Sequence, residues 1–289
     1  MPTRSYRCFF TISAIAIIGV VSGSSWAYNI PAYDQASFSA YTGGWNTTPA
    51  PNGGHGFQAW SFYQGAGGSY IPFTSATIAT NSTIGSGPSN KVWELGADAT
   101  SLNGNTSVNI SAGRLFDSPV QLGQSFFIDM DAATSDTSAT SISLTLSSAP
   151  TDPSDFTTGK LDFGIYSDPS TGDYDFGYEA NTGFLGGLAP TLTNTSIPVD
   201  DDPVHIDVHL NLDGSITGTI TSISNPLITD SVTASVYNPI QFVNLSAQAN
   251  AGSEITADFN RMGVTPLPPA VIAAAPLLGI LAFRKRRRS

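Results

Sequence analysis

The chain has 289 residues, 40% hydrophobic and 11% charged, with 28 Gly and 19 Pro. That is enough apolar material for a core, rich in turn formers without being low in complexity, so a folded body is expected and a disordered chain excluded. The net charge is −11, but between Tyr28 and Met262 four basic residues stand against all 22 acidic ones, a net of −18 that excludes nucleic acid as a partner.

At the N-terminus Arg4 and Arg7 precede the apolar run CFFTISAIAIIGVV, and Ser25-Trp26-Ala27 puts small residues at the two positions a signal peptidase reads. Residues 1–27 are therefore expected to form a signal helix, cut by signal peptidase after Ala27. Cys8 is the one cysteine and lies at the front of the run, whereas a lipoprotein cysteine would lie at its far end. The mature chain then contains no cysteine, which excludes disulfides, thiol catalysis and cysteine-based metal sites.

Residues 28–262 show no long stretch of 3.6-residue periodicity, and alternation with period two recurs. Trp45 and Trp60 flank the loop 47–55, and with Trp93 they are candidates for stacking on sugar rings; packing in an aromatic core is the other reading. In chain order, strands are expected at 76–80, 106–110, 125–130, 141–148, 160–167, 174–180, 204–210, 215–223, 232–237 and 254–264. Between 160–167 and 174–180 an acidic turn carries Asp168, Asp173 and Asp175. Calcium takes six to eight oxygens, and these carboxylates are a candidate calcium site, with acidic side chains facing water as the alternative.

In VHIDVHL (204–210) four aliphatics alternate with His205, Asp207 and His209. The two histidines, four apart on a strand, are separated by about 13 Å, too far to share one ion. A half-exposed strand is the reading that fits. Asp213-Gly214 then joins two alternating runs, the pattern of a hairpin. No composition break divides the body, so one β-sandwich domain over 28–262 is expected.

The C-terminal segment 263–289 contains Pro266-Leu267-Pro268-Pro269, then the apolar run Val271 to Phe283, then Arg284-Lys285-Arg286-Arg287-Arg288. Thirteen apolar residues make a short, weak membrane helix, and the basic cluster would stay on the cytoplasmic side. This three-part layout resembles the C-terminal sorting signal of the PEP-CTERM class, in its Val-Pro-Leu-Pro-Ala variants. It departs from them by Thr265 after Val264 and by Pro269 before Ala270, and it lacks a Pro-Glu-Pro triplet. The resemblance implies transient anchoring in an inner membrane and removal of the tail by an exosortase-type peptidase. A Leu-Pro-x-Thr-Gly sortase site is absent from the tail, and a permanent membrane anchor stands as the alternative.

The body carries Tyr41-Thr-Gly-Gly-Trp45, Asn52-Gly-Gly-His-Gly-Phe57 with Trp60, Trp93-Glu94-Leu95, Arg114-Leu-Phe116, Leu122 to Asp131 and Ile255 to Asn260. In this order they resemble exported bacterial proteins with a concanavalin-like jelly roll. Glucanases share that shape, and retaining glycosidases need two carboxyl groups about 5 Å apart. Laminarinase-type jelly rolls supply them as Glu-x-Asp-x-x-Glu on one strand. Here Asp129 and Asp131 share a face, but Phe127 and Ala132 occupy the Glu positions. No Gly-x-Ser-x-Gly elbow occurs. The whole reads as an all-β exported protein of the cell surface or extracellular matrix, non-catalytic and polysaccharide-binding. A secreted glycan-active hydrolase is the alternative.

Overall fold

Alternation decides which face each strand buries. Along Val204–Leu210 the aliphatics are buried and His205, Asp207 and His209 are half-exposed. Ser215–Ser222 and Thr140–Ser147 follow the same period. The computed structural model describes residues 30–47, 49–66, 74–102, 107–134, 140–147, 161–167, 172–178, 191–199, 202–235 and 239–266. Ala27, Asp168, Leu267, Pro268, Pro269 and the apolar tail lie outside them.

Among the described residues the strands are β1 (Ala32–Asp34), β2 (Ser61–Ala66), β3 (Thr74–Thr80), β4 (Lys91–Asp98), β5 (Ser107–Leu115), β6 (Ser125–Thr134), β7 (Thr140–Ser147) and β8 (Leu161–Ser167). They continue with β9 (Asp173–Tyr178), β10 (Thr191–Pro198), β11 (Val204–Leu210), β12 (Ser215–Ser222), β13 (Thr229–Ser235), β14 (Phe242–Asn250) and β15 (Glu254–Val264). A 3-10 turn, Ser39–Tyr41, follows β1. No helix among the described residues is long and apolar enough to cross a membrane.

One sheet runs β13-β12-β11-β6-β15-β4-β3, with β1 also pairing β15; the other runs β10-β9-β8-β7-β14-β5-β2. The pairings are antiparallel, and the sheets face each other across one continuous core, a sandwich of jelly-roll type. The β11–β12 hairpin turns at Asp213-Gly214, where Gly214 takes φ +87°. β15 runs to Val264, where Gly263 and Val264 pair with Phe127 and Phe126.

Trp45, Trp60 and Trp93 are all core residues, at most 3% exposed. Their rings meet edge-on, with centroids 5.1 Å apart for Trp45–Trp60 and 5.5 Å for Trp60–Trp93. This corrects the expectation of a sugar-stacking rim: the tryptophans pack against one another inside the core.

A buried ion pair ties the N-terminal segment to this cluster. Arg114, fully buried on β5, bonds Asp34 of β1 at 2.5 Å, Asn52 at 2.6 Å and the Gln58 carbonyl at 2.7 Å. Its guanidinium lies over the rings of Phe57 and Trp60. The Tyr41 hydroxyl also donates to Asp34. Burial pushes the Asp34 carboxyl up, against Arg114, Tyr41 and the Gln35 amide, which pull it down.

Candidate functional site

The outward side of the eight-stranded sheet carries the groups that the core does not use. In one row across the strands Tyr33 (β1) faces Gly263 (β15), which faces Phe127 (β6), which faces Asp207 (β11), which faces Thr219 (β12). In the next row Asn260 faces Asp129, which faces His205, which faces Thr221. The row on the other side pairs Ser125 with His209 and His209 with Thr217.

Three rings run diagonally over this surface. Tyr33 and Phe127 lie 6.4 Å apart, and Phe127 stacks with His205 at 6.2 Å. Gly263 makes the run continuous. A Cβ there would come within 2.8 Å of the Phe127 ring and 2.7 Å of the Ala32 carbonyl, so only a bare backbone lets the ring lie across it. The three side chains are partly exposed, His205 by 44%.

Asp129 joins His205 of this stripe to Arg261 beside it. One carboxylate oxygen bonds His205 Nδ1 at 2.6 Å and the other bonds Arg261 at 2.6 Å. With its Nδ1–H given to Asp129, His205 keeps Nε2 for an outside hydroxyl or amine. Arg261 reaches the face from a β-bulge where the β15–β6 register slips between Asn260 and Gly263, and it takes φ +48° to do so. A bulge with a non-glycine residue in the left-handed region re-aims a side chain at some cost in backbone strain. The neighbouring Asn260 is buried and holds the loop 81–90 down, donating to the Ile84 carbonyl at 2.7 Å and accepting from Ser86.

Ser125, His209 and Asp207 also meet here, but not as a catalytic triad. Ser125 Oγ lies 3.0 Å from His209 Nδ1. In a triad Nδ1 is the nitrogen that the aspartate holds and the serine bonds Nε2, so the serine sits on the wrong side of this ring. Burial raises the Asp207 carboxyl, with Ser125 and the two histidines opposing the shift.

A carboxylate row lies beyond Asp129. Asp131, Asp258 and Glu94 are direct cross-strand neighbours on β6, β15 and β4. Asn81 caps the first two, donating to Asp131 at 2.7 Å and to Asp258 at 2.9 Å, and Thr77 donates to Glu94 at 3.0 Å. Burial, together with the charges of Glu94 and Asp131, outweighs the Asn81 bond and lifts Asp258 to about 6. Its second oxygen is buried with no hydrogen-bond partner.

Of the residues singled out from the sequence, Asp129, Asp131, His205, Asp207 and His209 come together on this face. The tryptophans do not. Asp175 is buried and Asp173 half-buried on β9, and no group of three His, Cys, Asp or Glu among the described residues is placed to hold a metal ion. His55 spends its Nε2 on the Ile30 carbonyl. Sequence reasoning missed Tyr33, Asn81, Asp258 and Arg261. For Arg261 a signal existed: it is the one basic residue in the last expected strand. Pairing across strands far apart in sequence, which joins the other three to the face, leaves no local mark.

No family model matches the chain, and no curated protein matches it. Among solved structures it is similar to a legume lectin-like domain from Entamoeba histolytica, with 12% identity, 72% of this chain and 90% of that one covered, and a TM-score of 0.46. A family 7 alginate lyase in complex with product shows 12% identity over 68% and 85% of the two chains, with a TM-score of 0.42. The exoplasmic domain of VIP36, bound to calcium and Man3GlcNAc, gives 12% identity over 72% and 84%, also with a TM-score of 0.42. At 12% identity these similarities assign no residue a role.

Proposed function

We propose that this protein is an exported component of the cell surface or extracellular matrix that binds polysaccharide through the outward face of its eight-stranded sheet. The observation that carries the binding is the partly exposed ring stripe Tyr33–Phe127–His205 beside the Asp129–Arg261 pair. Rings supply the apolar faces on which sugar C–H groups pack, and fixed carboxylate and guanidinium groups bond the hydroxyls at the rim. The export half of the proposal rests on the sequence: the signal over 1–27, and a tail from Pro266 whose removal by an exosortase-type peptidase would release the body from the inner membrane.

Two measurements test the two halves. Intact mass of the native protein from membrane, surface and medium fractions is expected to show an N-terminus at Tyr28 and loss of residues from near Pro266 outside the cell. A complete C-terminus confined to membranes overturns the sorting reading and leaves a permanent anchor. Co-sedimentation with insoluble polysaccharides is expected to retain the protein and to lose it in Phe127→Ala; unchanged retention in that variant overturns the assignment of the face.

A glycan hydrolase is the second reading, and Asp131 opposite Asp258 favours it, since one carboxyl of the pair is raised to about 6 as a general acid would be. The Asn81 cap and the buried Asp258 oxygen count against it, because a catalytic acid must reach the glycosidic oxygen. Release of reducing ends that disappears in Asp258→Asn would establish this reading in place of simple binding.

A further inference from the structure

Resting on the reading of this face as a polysaccharide site, we infer that its polymer carries protonated amines, as a wholly or partly deacetylated polyhexosamine does, and not uronate carboxylates. Charge complementarity is the first ground. The face turns Asp129, Asp131, Asp207, Asp258 and Glu94 outward, and beyond Gly96 a shallow trough adds Asp98 and Glu254. Arg261 is the one Lys or Arg set among them within the described residues, and its charge is already committed to Asp129. A uronate polymer would bring a carboxylate per sugar to a surface with no uncommitted cation. Like charges held together cost free energy that salt screens only partly.

Geometry is the second ground. An ammonium group is recognised by the face of an aromatic ring together with a carboxylate beside it. Phe127 and Asp207 are direct cross-strand partners, and Tyr33 continues the same row past Gly263. No Lys or Arg among the described residues is paired with Asp207, which shares its strand face with His205 and His209. On β12 and β13 the row continues with Thr219 opposite Ser231, and hydroxyls flank it in the adjoining rows: Thr221 pairs with Thr229 at 2.9 Å and Thr217 with Thr233 at 3.0 Å. A polymer crossing from β1 towards β13 thus meets rings, a carboxylate and then a hydroxyl ladder. That order suits an amino sugar whose remaining groups are hydroxyls.

The test compares three polymers with the purified, full body at pH 6: a glucosamine polymer, its N-acetylated neutral form, and polygalacturonate. The expected result is that the glucosamine polymer binds about tenfold or more tighter than the neutral one, a preference of the size a ring-plus-carboxylate ammonium site supplies. Binding should weaken with salt, and Asp207→Asn should reduce it about fivefold or more. Phe127→Leu, which keeps an apolar side chain but removes the π face, should reduce it likewise. Asp117→Asn, at an exposed position in the β5–β6 connection, should leave it unchanged. Equal binding of the neutral polymer, or a preference for polygalacturonate, overturns the inference while the polysaccharide reading stands. Equal losses in Asp207→Asn and Asp117→Asn also overturn it, assigning the attraction to the acidic body at large. Retention of none of the three polymers, nor of any other polysaccharide, removes the underlying reading.

Discussion

Asp258 shows how one side chain carries the electrostatic cost of the face. An aspartate in the unfolded chain titrates near 3.9, and this one is lifted to about 6 in the folded protein. Between those values the folded state holds a proton that the unfolded state has released, so stability falls as pH rises from about 4 to about 6. The loss amounts to about 2–3 kcal/mol once Asp258 is fully ionised. Asp258→Asn should therefore leave stability near pH 4 unchanged and raise it by about 2 kcal/mol at pH 8. Urea unfolding at the two pH values decides it, and a variant no more stable than the parent at pH 8 would sink the account. Asp34 lies at the opposite extreme. Its charge is matched inside the core by Arg114, with both side chains wholly buried. Asp34→Asn strands a buried guanidinium, and the expected loss is about 3–5 kcal/mol by urea unfolding. Arg114 and Asp34 lie 80 positions apart in sequence, so nothing local announced their pairing.

At the scale of the strands, legibility followed the strength of alternation. The strands expected at 204–210 and 254–264 are β11 and β15 with identical bounds; branched aliphatics and polar residues alternate cleanly along β11, and along the first half of β15 Ile255, Ala257 and Phe259 keep the period until the bulge. β14 escaped notice: its inward residues include Ala247 and Ala249, too small to stand out against Ser and Gln neighbours. β1 is only three residues long and exists by pairing with β15. The bulge in β15 was equally invisible, since a register slip is defined by the partner strand and not by the strand itself. It makes an inverted substitution order testable. In an ordinary strand Gly is worse than Ala by about 0.5–1 kcal/mol. At Arg261, with φ +48°, Ala keeps the left-handed strain of about 1–2 kcal/mol that Gly avoids. Both variants lose the bond to Asp129 equally. Arg261→Gly should thus unfold at higher urea than Arg261→Ala, and the opposite order would show that the bulge relaxes when the guanidinium is gone.

On the scale of the molecule, the two ends of the described body meet on one strand pair. Ala32 faces Val264, and Asp34 faces Met262, so the first and last strands close the sheet together. The closure ends with Thr265, whose N–H donates to the Ser125 carbonyl at 2.8 Å and whose hydroxyl accepts the Ser125 N–H at 2.9 Å. The next residue, Pro266, opens the run Pro266-Leu267-Pro268-Pro269. Val264 and Thr265 open the stretch compared with the sorting motif and also belong to the fold, so removal of the tail from Pro266, as proposed, leaves both with the body. A chain comprising 28–266 should therefore unfold in one cooperative transition, as expected for a single core. A chain comprising 28–260 loses the β1 pairing, the Thr265 clamp, and the buried side chains of Met262 and Val264. Those two side chains alone are worth about 3–6 kcal/mol, a large share of the roughly 5–15 kcal/mol that holds a domain together. The shorter chain should show no cooperative unfolding by calorimetry at 25 °C and above. If it unfolds with the same midpoint as 28–266, the β1–β15 closure is not part of the cooperative core, and cleavage further upstream of Pro266 would be tolerated as well.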